Sequence, residues 1–109
     1  MATAYKVLGQ SAPSATTNTD VYTVPSATEA VVSTIFVCNR GGTAATYRIA
    51  VRPNGATIAN EHYIAYDPVI LANDSIAITV GTTMDATDVI TVYGSTANLS
   101  FNVFGSEIS

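Results

Sequence analysis

The chain has 109 residues, of which 48% are hydrophobic and 11% charged, and it carries a net charge of −4. That length is one domain, and its four Lys and Arg residues are too few to neutralise a run of phosphates, which sets nucleic acid aside as a partner. No stretch reaches the roughly 18 apolar residues of a membrane helix, and the opening MATAYKVLGQ lacks the basic start and long apolar core of a secretion signal.

Residues 5–8 form a first short strand, ending at Gly9. Residues 11–19 are rich in Ser, Ala, Thr and Pro and form a connecting loop. A second strand over 21–24 stops at Pro25, which has no N–H to give a ladder. The strongest strand covers 30–38. Val31, Ser33, Ile35 and Val37 share one of its faces, and Val32, Thr34, Phe36 and Cys38 the other. Apolar groups on both faces predict a central strand with little water on either side. Residues 39–42, Asn-Arg-Gly-Gly, end it and supply the backbone freedom of a tight reversal. A strand over 45–52 follows, with Tyr47, Ile49 and Val51 facing inwards and Arg48, Ala50 and Arg52 outwards. The two runs are expected to pair as a hairpin across Gly41 and Gly42.

Pro53-Asn54-Gly55 is a turn, and residues 56–60 are a helical turn or an irregular loop. A strand over 62–66 closes at Asp67-Pro68 and resumes over 69–72 after a kink. Residues 75–80 alternate Ile76, Ile78 and Val80 with small polar partners, and 81–87 form a loop. Strands over 89–93 and 99–103 complete the set, the last with Leu99, Phe101 and Val103 inwards. About eight short strands at roughly ten-residue spacing predict a single-domain, all-β antiparallel sandwich of jelly-roll or immunoglobulin-like order. The domain spans 1–109, with residues 1–4 and 105–109 free to act as arms towards neighbouring subunits.

The chain has little equipment for chemistry. Cys38 has no partner and reads as an inert, buried thiol, and a thiol nucleophile would have only His62 as its base. Asp67, Asp74, Asp85 and Asp88 sit in or beside turns and read as turn formers; the regular oxygen ligands of a calcium loop are missing. Glu61, Asp67 and Glu107 are the acids a hydrolase would need, but nothing in the spacing brings them together. No Gly-x-Ser-x-Gly elbow and no phosphate-cradling loop before a helix is present. We therefore expect no enzyme, no cofactor and no metal. Tyr22, Tyr63, Tyr66 and Tyr93 suit a subunit interface, where the ring buries area and the hydroxyl keeps a partner. Arg48 and Arg52 share a strand face and join them as candidate interface residues. A carbohydrate-binding surface is the alternative for the same tyrosines. A surface so poor in charge, against about 25% in ordinary domains, suits a protein packed against neighbours.

Several stretches carry a resemblance: Val21-Tyr22-Thr23-Val24-Pro25-Ser26-Ala27-Thr28, Ala30-Val31-Val32-Ser33-Thr34, Val37-Cys38-Asn39-Arg40-Gly41-Gly42-Thr43 and Tyr47-Arg48-Ile49-Ala50-Val51-Arg52. With His62-Tyr63-Ile64, Val89-Ile90-Thr91-Val92-Tyr93 and residues 99–107, the chain resembles small structural proteins of tailed bacteriophages, including phages of cyanobacteria. The resemblance implies a non-enzymatic virion protein in many copies, made in the host cytoplasm. It would decorate or cement the capsid, or sit on the neck, tail or fibre. The partners it implies are major capsid or tail proteins and further copies of the chain, with a trimer expected on a capsid symmetry point. A glycan- or receptor-binding head is the other role to weigh.

Overall fold

Strands whose apolar residues recur at every second position can hide only one face, so two sheets must close on each other. The computed structural model describes residues 2–109 and has eight strands: β1 (Thr3–Ser11), β2 (Thr19–Thr23), β3 (Glu29–Asn39), β4 (Ala45–Arg52), β5 (Tyr63–Ile70), β6 (Ser75–Met84), β7 (Val89–Gly94) and β8 (Leu99–Ile108). Pro53–Gly55 and Asn60–His62 are single 3-10 turns. One sheet has the order β1-β8-β3-β6 and the other β2-β7-β4-β5, with every neighbour antiparallel.

The pairs β1–β8, β2–β7, β3–β6 and β4–β5 are nested. The chain is thus one long antiparallel ribbon, doubled back between β4 and β5. Rolling the ribbon brings β3 to β8 and β4 to β7 and closes the two layers. This is jelly-roll order, and it decides between the two sandwich types the strand pattern allowed.

Nested pairing overturns the hairpin expected across Gly41 and Gly42. β3 and β4 lie in different sheets, because β6 and β8 already occupy both edges of β3. Asn39 fixes this crossing. Its side chain is 1% exposed, its Nδ2 donates to the carbonyls of Thr43 (2.8 Å) and Leu71 (3.2 Å), and its Oδ1 accepts the Gly41 N–H at 2.9 Å. The amide therefore ties the end of β3 to the segment leaving β5.

A bulge corrects the predicted faces of β3. The pairing steps from Val32–Gly105 to Thr34–Phe104 and leaves Ser33 over. A single extra residue reverses the alternation: Ala30 and Val32 face the core before the bulge, Ile35 and Val37 after it. β3 is central, but its outer face is not dry, since Phe36 remains 41% exposed. Opposite the bulge, the backbone of Gly105 runs so close to β3 that a Cβ there would lie 2.0 Å from the Val31 carbonyl oxygen.

Other boundaries differ from expectation as well. β6 extends through the predicted loop to Met84, bending at Gly81, whose φ is +58°. The two pieces expected over 62–66 and 69–72 are one strand, Tyr63–Ile70, which runs unbroken through Asp67, where φ is 60°. The proposed arms lie within the sheet instead of projecting from it. Thr3 pairs with Ile108, and Ala2 and Ser109 exchange backbone hydrogen bonds of 2.7 and 2.9 Å. Met1 lies outside the described residues. Between the layers, Val32, Ile35, Val37, Leu99, Phe101 and Val103 meet Tyr47, Ile49, Ile90 and Val92 in one core.

Candidate functional site

Strand register, more than sequence spacing, assembles the candidate residues. On the outer face of the β2-β7-β4-β5 sheet, Arg48 lies directly opposite Tyr66 of β5 on one side and Tyr93 of β7 on the other. Its guanidinium carbon is 4.3 Å from the centre of each ring, which is cation–π geometry on both flanks. Tyr63 meets Tyr66 edge to face, with 4.8 Å between ring centres. Asp67, turned by its positive φ, accepts two hydrogen bonds from Arg48, at 2.7 and 3.1 Å. This forked pair fixes the guanidinium plane and so fixes the rings stacked on it.

Arg52 belongs to a neighbouring network. It donates to the Thr91 hydroxyl (3.0 Å) and to Asp20 (3.0 Å), and Thr91 in turn donates to Asp20 at 2.9 Å. The two arginines named as candidate interface residues are therefore each neutralised by an acid. Tyr22 does not belong to this surface: it is 8% exposed and lies in the core. Its hydroxyl donates to Glu107 at 2.5 Å, and Glu107 also pairs with Lys6 at 2.7 Å. Of the six candidate interface residues, the structure joins Tyr63, Tyr66, Tyr93 and Arg48, places Arg52 beside them and removes Tyr22. Asp67, Asp20 and Glu107 are the partners that residue-by-residue reading missed. Only the strand register brings each acid to its base: Asp67 follows Tyr66, the residue opposite Arg48, and Asp20 of β2 reaches Arg52 of β4 across β7.

The acids are held as anions. The Arg48 hydrogen bonds keep the Asp67 carboxyl below the usual aspartate range. Lys6 and then Tyr22 do the same for Glu107. A general acid needs the opposite shift. His62 ends a 3-10 turn, where its Nδ1 accepts the Ala59 N–H at 3.0 Å. Asp88 accepts the backbone N–H groups of Asn54 and Asp85 at 2.8 and 2.9 Å, and Asp85 accepts that of Ala86 at 2.8 Å; both are turn formers. Among the described residues, no cluster of three or more His, Cys, Asp or Glu side chains could hold a metal. Cys38 is half-buried, more open than the sheltered thiol expected.

These shifts give the fold a two-sided pH profile. Asp67 and Glu107 have folded pKa values below their ordinary 3.8 and 4.5, so the stability they lend is present above those values and is lost as the pH falls below them. Tyr22 is raised above 10.0 by burial and then by Glu107, and Tyr47 is raised by burial. Their contribution is intact below pH 10.0 and disappears as the pH climbs above it. The melting midpoint should therefore be flat between these limits and fall on both sides, with tyrosinate absorbance from Tyr22 and Tyr47 emerging only on unfolding. A midpoint still level well above the alkaline limit would contradict their burial.

Beside the tyrosine cluster lies a shallow depression lined by Asn60, Tyr63 and Tyr66. Further along β5 and just past its end, Val69 and Leu71 are 62% and 63% exposed. On the other sheet's outer face, Tyr5 and Phe36 are 86% and 41% exposed, and Phe36 packs edge to face on Phe104. Compared with protein-family models, with curated proteins and with solved structures, the chain matches none.

Proposed function

We propose that this chain is a non-enzymatic structural protein of a tailed-phage virion, serving to decorate or cement the capsid by packing against neighbouring subunits. One observation carries the reading: both outer faces of the jelly roll offer apolar and aromatic side chains, while most of the basic groups are already paired. Lys6, Arg48 and Arg52, three of the four basic residues, are each matched to an acid within the chain. Contiguous exposed apolar surface marks contact with other macromolecules. Prior pairing of the charges lowers the desolvation penalty when such a surface is covered. The motif likeness to phage structural proteins supplies the setting, and many copies supply avidity from modest contacts.

Two measurements test the proposal. Mass spectrometry of gradient-purified particles from the genome that encodes the chain should find it in many copies. Purified protein should sediment with particles stripped of it and reach saturation. Absence from the particle together with no rebinding overturns the reading. Neck, tail or fibre placement would show as labelling away from the capsid shell.

The depression at Asn60, Tyr63 and Tyr66 favours one second role, a glycan- or receptor-binding head. The exposed ring of Tyr66 and the half-buried ring of Tyr63 beside an amide suit the apolar face and hydroxyls of a sugar. A salt-insensitive glycan-array signal, abolished by Tyr66→Ala, would establish it.

A further inference from the structure

The open edge of a sheet presents unpaired backbone donors and acceptors, and proteins usually blunt it with charge, proline, bulges or brevity. This sandwich has four such edges, β1, β6, β2 and β5, and three of them are blunted. β2 has five residues and carries Asp20. β5 contains Asp67 and Pro68 and is bulged twice against β4. β1 carries Lys6 and a bulge at Leu8.

β6 differs. Residues 75–80, Ser-Ile-Ala-Ile-Thr-Val, contain no charge, proline or glycine. They pair in unbroken register with β3 from Cys38–Ser75 to Thr34–Thr79. The bend at Gly81 begins only after this segment. Ile76, Ile78 and Val80 point to the core but remain only partly buried against it, because no strand flanks them on the far side. Ala77 and Thr79, on the outer face, are exposed and small.

We propose that residues 75–80 of β6 form a self-association edge, where a second copy of this chain adds its own β6 antiparallel across a two-fold axis. The result is one continuous sheet of eight strands shared by two copies. Antiparallel pairing of a strand with itself is isologous, so the same donors and acceptors meet from both sides. The absence of charge removes the repulsion that like groups would meet across the axis. The added strand would also complete the burial of Ile76, Ile78 and Val80. This contact needs no particle, so it stands or falls separately from the virion reading.

Sedimentation equilibrium combined with amide exchange tests it on the whole chain. The expected result is a concentration-dependent dimer, with slower exchange confined to residues 75–80 as concentration rises. Thr79→Lys and Thr79→Glu, at an exposed position, should each weaken self-association about tenfold. Both should keep the melting midpoint of the dilute protein. An equimolar mixture of the two variants should restore association. A chain that stays monomeric to its solubility limit overturns the proposal. So does association that protects β1, β5 or another surface while the β6 amides stay open, or that ignores both substitutions.

Discussion

Gly105→Ala is expected to destabilise the fold by about 3 kcal/mol, lowering the melting midpoint by roughly 15 °C. The reason is the close passage of β8 beside the β3 bulge. A methyl group at residue 105 would stand 2.0 Å from the Val31 carbonyl oxygen and 3.0 Å from the Val32 Cα. Both obstacles are backbone, so no side-chain rotation relieves them. The strands must part where Val32 pairs with Gly105, and ladder hydrogen bonds are lost there. Gly42→Ala is the control, since a Cβ at that position meets nothing within 4 Å. There the alanine should be neutral or stabilise by about 0.4–1 kcal/mol through its less flexible unfolded chain. Chemical denaturation of the two variants side by side gives the answer. Equal effects would mean that the bulge has room to open.

Asn39→Asp tests the tie between the sheets with almost no change of shape. The Nδ2 that now donates to the carbonyls of Thr43 and Leu71 would become a carboxylate oxygen facing the same acceptors. At 1% exposure, water cannot relieve the clash. The expected loss at neutral pH is about 3 kcal/mol, the scale of a buried group stripped of its partners. The new carboxyl should titrate above an ordinary aspartate, because burial and the facing carbonyls oppose its charge. The deficit relative to the parent chain should therefore shrink as the pH falls towards 4, roughly the ordinary aspartate pKa. Denaturant unfolding of both proteins at neutral and mildly acidic pH measures it. A deficit independent of pH would place the effect elsewhere than in the lost donor.

The alternation of Leu99, Phe101 and Val103, and of Tyr47 and Ile49, was readable directly, and the structure buries all five. Bulges were not readable. Ser33 looks like any polar residue within a strand, yet it shifts the face of everything after it. Tyr22 shows the same limit at the candidate site: its type suits an interface, but the side chain it must satisfy, Glu107, lies on the other sheet. The ion pairs of Arg48 and Arg52 join residues 19 and 32 positions apart in the chain, and no local pattern records such distances.

The sequence by itself determined the all-β class, the eight strands and the scarcity of groups suited to catalysis. These follow from side-chain type and a two-residue period, which are local properties. Tertiary structure decided which strands pair, that the ribbon rolls instead of forming the β3–β4 hairpin, and that the arginines are clamped by Asp67 and Asp20. It also decided which edge is left open. Those outcomes depend on which apolar faces and backbone groups can be satisfied together, and that competition is settled only when the whole chain closes.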